Sequence, residues 1–198
     1  MVRHRLKRAD VLVLVGLPGS GKTTVGRQLA RRLRMPFVDS DQVIEQRLGC
    51  SIREYFDREG EDAFRDIESQ VIDELSAHFQ GVLSTGGGAV LRAINREHLH
   101  ARGLVFYLRA APEEVFRRLR HDRNRPLLQV ADPMQKLRDL YAVRDPLYRE
   151  TAHYVIETAR PSVSGLVNMI TTQLELSGQL DAFRSAPAAR SDSADPLH

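Results

Sequence analysis

Apolar residues fall along this chain in two alternating rhythms. Short unbroken runs occupy residues 10–15 (DVLVLV), 36–39 (PFVD), 82–85 (VLST), 104–108 (LVFYL) and 153–158 (HYVIET). The first is rich in β-branched residues and stops at Gly16, the pattern of a strand covered on both faces. Elsewhere the segments 22–34, 41–48, 61–79, 92–101, 112–120, 134–149 and 162–176 carry apolar positions every three or four residues, the period of helices with one buried side. Pro112 followed by Glu113 and Glu114 marks a helix start, since proline there forfeits no needed N–H and the carboxylates meet the positive end of the helix dipole. Strands alternating with helices predict an α/β fold: a mostly parallel sheet with helices on both faces.

Residues 121–133 have no clean period and are crowded with Arg, Asn, Pro and Asp, so they read as a long loop of the kind that usually carries function. The end of the chain is rich in Ala, Ser, Pro and Asp, the composition of a disordered tail, here taken as 178–198. Residues 1–9 form a basic arm, which leaves 10–177 as a single domain. The whole chain of 198 residues, 42% apolar and 28% charged, suits one globular domain and excludes collagen and disulfide scaffolds. Its net charge of +3 is misleading, because Arg3, Arg5, Lys7 and Arg8 supply it and the body is neutral. A neutral body lacks the electrostatic footprint of a nucleic-acid binder. No apolar run nears the roughly 18 residues of a membrane helix, and no apolar stretch follows the basic arm as in a signal peptide. The expectation is a cytoplasmic protein with no membrane partner. Cys50 is the single cysteine, read as a lone thiol, and His98 and His100 are spaced as a surface pair rather than as helical metal ligands.

Chemistry enters at Gly16–Thr23 (GLPGSGKT), a phosphate-loop pattern placed directly after a predicted buried strand and opening a predicted helix. In such a loop glycines let successive N–H groups face phosphate oxygens, and the helix dipole adds to their field. Lys22 would reach the β- and γ-phosphates of a nucleoside triphosphate, and the Thr23 hydroxyl would bind Mg²⁺. Acid follows the second strand, at Asp39 and Asp41, while the third strand runs into Gly86, Gly87 and Gly88. Strand C-terminal ends line the ligand crevice of such sheets, so both carboxylates belong near the phosphate loop, one facing metal and the other an acceptor hydroxyl. A competing reading makes Asp41 merely the cap of the following helix.

These residues, together with Phe64-Arg65-Asp-Ile-Glu68, Arg125-Pro-Leu-Leu and Arg144-Asp-Pro-Leu-Tyr148, resemble the ordered motif set of the shikimate kinases over roughly residues 10–176. The resemblance implies a P-loop kinase fold like that of nucleoside monophosphate kinases, with a five-stranded parallel sheet, a substrate-binding region at about 41–70 and a lid at about 121–133. It implies transfer of the ATP γ-phosphate to the 3-hydroxyl of shikimate, in chorismate and aromatic amino-acid synthesis, by a monomer using Mg²⁺.

By that similarity Lys22, Asp41 and Arg125 are catalytic, Asp41 as hydroxyl ligand and proton acceptor and Arg125 as the lid arginine on the moving phosphate. The nucleotide is expected on Gly19, Ser20, Gly21, Lys22, Thr23, Thr24, Arg118, Arg125 and Pro161, with Arg118 and Pro161 bordering adenine. Shikimate is expected on Asp41, Arg65, Arg144 and the N–H groups of Gly86, Gly87 and Gly88, the two arginines gripping its carboxylate. Metal is expected on Thr23 and, through water, Asp39. Glu68, three residues beyond Arg65, is expected to hold that guanidinium. Asp41 is taken as an ordinary aspartate with pKa near 3.9. Another small-metabolite kinase, such as a gluconate kinase, is the nearest alternative; a sensing domain without turnover is the alternative of a different class.

Overall fold

The computed structural model describes residues 11–119 and 130–184. β1 (Val11–Val15), β2 (Phe37–Asp39), β3 (Gly81–Ser84), β4 (Gly103–Arg109) and β5 (Tyr154–Glu157) form one sheet in the order β2-β3-β1-β4-β5. Every pairing is parallel, with Val13 opposite Leu83 on one side and Val105 on the other. α1 (Lys22–Leu33), α2 (Ser40–Leu48), α3 (Ile52–His78), α4 (Ala93–Arg102), α5 (Pro112–Leu119), α6 (Pro133–Thr151), α7 (Val163–Leu176) and α8 (Leu180–Arg184) complete the described structure.

The apolar runs behave as their composition requires. All of β1 is buried, and its side chains divide between two cores. Val11, Val13 and Val15 pack under Ile72 of α3, Leu99 of α4, Val115 of α5, and Leu137 and Tyr148 of α6. Leu12 and Leu14 meet Leu29 of α1, Leu166, Ile170 and Leu174 of α7, and Phe183 of α8. Each such side chain withdrawn from water contributes about 1.5–3 kcal/mol, which is why strands this short hold their register. A small third cluster of Ile44, Phe64 and Val71 joins α2 to α3. The sequence enters on the central strand and then builds on both of its sides, so the reversal of strand order opens a crevice at the carboxyl ends of β1 and its neighbours. No helix among the described residues is long and apolar enough to cross a membrane.

Two elements differ from the sequence expectation. α3 begins at Ile52 rather than 61, because Ser51 and Glu54 form a reciprocal capping box; Gly60, at φ 84° and ψ 177°, interrupts the helix and its period there. The presumed disordered tail from 178 is wrong at its start. Residues Leu180–Arg184 are helical, and Phe183 is 1% exposed in the core beneath α7.

Candidate active site

β1 delivers the chain to the phosphate loop, and the loop turns back into α1 through Gly21, whose φ of 96° is one that L side chains rarely adopt. A Cβ at Gly16 would lie 2.7 Å from the carbonyl oxygen of Leu108, so the loop can pass over β4 only as bare backbone. No acidic residue stands in the first turn of α1, which leaves the positive end of that helix to an outside anion. The buried Lys22 ammonium donates to the carbonyls of Gly16 at 2.8 Å and Leu17 at 2.9 Å, curling over the loop it serves. Ser20 Oγ is buried with no hydrogen-bond partner among the described residues. Its carbonyl accepts from Arg118 at 3.2 Å, and Arg118 also donates to the Thr158 carbonyl at 2.8 Å. Arg118 thus ties the phosphate loop to the end of β5, near Pro161, which packs beside Gly165.

β2 brings two carboxylates to the same crevice in different roles. Asp39 caps α2, accepting from the N–H of Asp41 at 3.0 Å through Oδ1 and from the Thr23 hydroxyl at 2.8 Å through Oδ2. Asp41 is therefore not the cap; its side chain faces the cavity of about 340 Å³ that it lines with Gly19, Lys22, Thr23, Asp39 and Gly87. Burial, then the neighbouring charges of Asp39 and Glu68, push the Asp41 carboxyl up from 3.8 to about 6. This corrects the expectation of an ordinary aspartate. The Thr23 oxygen, with its proton given to Asp39, keeps its lone pairs for a cation. Hydroxyl and carboxylate oxygens are the hard donors Mg²⁺ prefers, so the pair fits that ion.

Across the crevice, Arg65 reaches in from α3. Its Nη1 donates to Glu68 Oε2 at 2.6 Å, while Nε and Nη2 donate to Glu61 Oε1 at 3.3 and 3.1 Å. Glu68 is 1% exposed, and burial pushes its carboxyl upward against the pull of Arg65, Arg144 and Arg92. Arg144, on α6, stands beside the Tyr148 hydroxyl, whose own pKa burial raises. The three glycines after β3 carry this side of the site by being thin. A Cβ at Gly86 would sit 2.5 Å from Asp41 Oδ1, one at Gly87 2.6 Å from the Pro18 ring, and one at Gly88 within the guanidinium of Arg65. The N–H of Gly86 is committed to Ser40 Oγ at 3.0 Å, which corrects its expected role as a donor to substrate.

The Shikimate kinase family model matches residues 18–175. The chain belongs to the shikimate kinase family. It is 61% identical over 168 residues to the shikimate kinase of Paracidovorax citrulli, spanning 83% of this chain and 92% of that one. Its identity to the shikimate kinase of Burkholderia thailandensis is 60% over 84% of this chain and 91% of the relative. The solved shikimate kinase of Acinetobacter baumannii in complex with shikimate superposes with a TM-score of 0.80 at 50% identity, covering 87% of this chain and 96% of that one.

In this shikimate kinase fold Lys22, Thr23, Asp39, Asp41 and Gly87 line one cavity, while Arg65 meets the backbone at Gly88 and Arg144 stands beside Tyr148. Arg125 and residues 121–129 of the expected lid lie outside the described residues. Sequence reading missed several supporting groups. Ser40, between the two aspartates and fully buried, anchors Gly86. Tyr148 donates to the Gly87 carbonyl at 2.6 Å, and Tyr107 donates to Asp145 at 2.8 Å, so α6 is pinned twice within the turn that follows Arg144. The Asp145 and Tyr148 positions were visible in the Arg144–Tyr148 motif, but nothing local reveals their partners. His98 and His100 are not a simple surface pair: His98 lies 3.1 Å from Asp73 and His100 stacks on His153 at 4.2 Å.

Proposed function

We propose that this chain transfers the γ-phosphate of ATP to the 3-hydroxyl of shikimate, giving shikimate 3-phosphate and ADP in chorismate and aromatic amino-acid synthesis. The observation that carries this reading is one crevice in which a phosphate loop faces a buried carboxylate and, beyond it, an arginine held by Glu68. The loop N–H groups and the start of α1 take the phosphates. Lys22 exchanges its loop carbonyls for phosphate oxygens and neutralises charge as it gathers on the leaving ADP. Thr23 and Asp39 would hold Mg²⁺, which supplies charge neutralisation on the phosphates when bound. Arg65 and Arg144 take the shikimate carboxylate, and Asp41 accepts hydrogen bonds from its hydroxyls.

In the transfer, the 3-oxygen forms the new P–O bond as the bond to ADP breaks, and its proton passes to Asp41. Transfer of this kind is loose, so a strong base is not needed. An acceptor titrating at about 6 is nonetheless better matched to neutral pH than one near 3.8. Arg125 would close on the moving phosphate and exclude water. A gluconate kinase needs no pair of arginines for a ring carboxylate, which is why shikimate is preferred as acceptor. The test is ADP release coupled to a reporter, run with shikimate, quinate, gluconate and nucleoside monophosphates. Turnover with shikimate and a 3-phosphate product by phosphorus NMR is expected; turnover with gluconate or a nucleotide and none with shikimate would overturn the assignment.

A further inference from the structure

The guanidinium of Arg65 already holds a carboxylate where a substrate would place one. A guanidinium offers five N–H groups in one plane, and a carboxylate binds best along an edge that presents two of them. At Arg65, Nη1 belongs to the buried Glu68 at 2.6 Å, and the backbone of Gly88 stands against the Nη1 and Nη2 end. The edge that remains is Nε with Nη2, and Glu61 Oε1 occupies it at 3.3 and 3.1 Å.

The two acids differ in kind. Glu68 is sealed in and makes the shorter bond, so orientation of Arg65 is already provided for. The Glu61 side chain is 61% exposed, makes longer contacts, and sits one residue after Gly60, where the helix is interrupted and a Cβ would meet nothing within 4 Å. Glu61 therefore opens the second helical segment of α3. A carboxylate at such a start is favoured there even without an arginine, which gives it somewhere to go.

We propose that Glu61 is a built-in competitor for the substrate carboxylate: it holds the Nε–Nη2 edge of Arg65 until shikimate takes its place, and so sets shikimate affinity without touching the chemistry. The proposal rests on the reading that Arg65 binds that carboxylate. Its consequence runs opposite to that of losing a supporting residue, since removing Glu61's charge should improve binding. An exposed ion pair of this kind moves an equilibrium by about two- to fivefold.

The test is Glu61→Gln in the full chain. The KM for shikimate, and its dissociation constant by calorimetry without nucleotide, should fall by about two- to fivefold, with kcat and the KM for ATP unchanged. Shikimate methyl ester should gain nothing, because it brings no carboxylate to the freed edge. Glu59→Gln, which removes the same charge from a residue paired with Arg58, should change neither ligand. An unchanged or raised KM for shikimate, an equal gain for the ester, or an equal gain from Glu59→Gln would overturn the proposal. If the unaltered enzyme binds shikimate and its ester equally, the Arg65 reading itself fails. Failure confined to Glu61→Gln, with that discrimination intact, rejects the competitor alone.

Discussion

Asp41→Asn should make the folded protein more stable while destroying its activity. In the fold the Asp41 carboxyl titrates at about 6, against 3.8 when unperturbed, chiefly because burial strips its hydration and then because Asp39 and Glu68 repel its charge. A tenfold change in proton affinity is worth about 1.4 kcal/mol, so holding this charge in the fold costs about 3 kcal/mol, or about 2 once the solvent that still reaches this partly buried side chain is allowed for. The sign follows from proton counting. Between 3.8 and about 6 the folded state binds more protons than the unfolded one, so stability falls as pH rises through that window. Below it Asp41 is neutral in both states and the penalty vanishes; above it the penalty is complete.

Asparagine has nearly the same shape and carries no charge at any pH. Urea unfolding at pH 8 should therefore find Asp41→Asn about 2–3 kcal/mol more stable than the parent, a gap that closes toward pH 4. Comparing the two proteins at each pH cancels the titration of all the other carboxylates except those coupled to Asp41 itself. In the ADP-release assay the same variant should lose about 10²–10⁴ in kcat, the usual worth of a positioned proton acceptor. Asp41→Asn no more stable than the parent at pH 8, or a gap of the same size at pH 4, would show that the Asp41 carboxylate lacks the buried, like-charged surroundings that raise its pKa.

Lys22→Ala should lower kcat by about 10²–10³ in the same assay while circular dichroism stays that of the parent, since its two loop carbonyls can bond to water instead. Arg65→Lys and Arg144→Lys should each weaken shikimate binding by about 1.5–3 kcal/mol in calorimetry with ATP affinity unchanged, because lysine keeps the charge and loses the fork. Ending the chain after Ser177 should cost about 3–5 kcal/mol in thermal unfolding, since it deletes the buried Phe183.

The phosphate loop was legible because all its parts are contiguous: strand, glycines, lysine and helix start follow one another within a few residues. The three inner strands β1, β3 and β4 were legible for a related reason, since burial on both faces writes an unbroken apolar run; the edge strands β2 and β5 are only partly buried, and were legible because their short apolar runs fall between helix-period segments. What escaped reading depends on partners distant in the chain. Nothing near Asp41 announces that Glu68, on another helix, will raise its pKa, and the flanking Ser40 and Gln42 look polar and exposed; Ser40 is in fact sealed in to meet Gly86. Phe183 was lost in a stretch of Ala, Ser and Pro because one aromatic residue makes no period. Helix residues 52–60 are a different failure. Their capping box, Ser51 and Glu54, was written in the sequence, and the glycine at 60 interrupted the rhythm that would have led back to it.

Strand order explains why this site uses three consecutive glycines although none of them has a positive φ. β3 lies between β2, which ends in the carboxylates, and β1, which ends in the phosphate loop. Whatever chain leaves β3 must pass between the phosphate side of the reaction and the acceptor side, and those sides must come close enough for a phosphoryl group to cross. The segment 86–88 does this by presenting a different functional neighbour at each step: Asp41 to Gly86, Pro18 of the phosphate loop to Gly87, Arg65 to Gly88. A single Cβ at any one position would displace a different part of the machinery. The missing side chains are thus a spacing device, and Ser40 and Tyr148 hold that thin partition in place through the Gly86 N–H and the Gly87 carbonyl. Because Tyr148 stands one helical turn beyond Arg144, the same hydroxyl that fixes the partition also fixes the helix that carries Arg144, the second arginine of the proposed carboxylate grip.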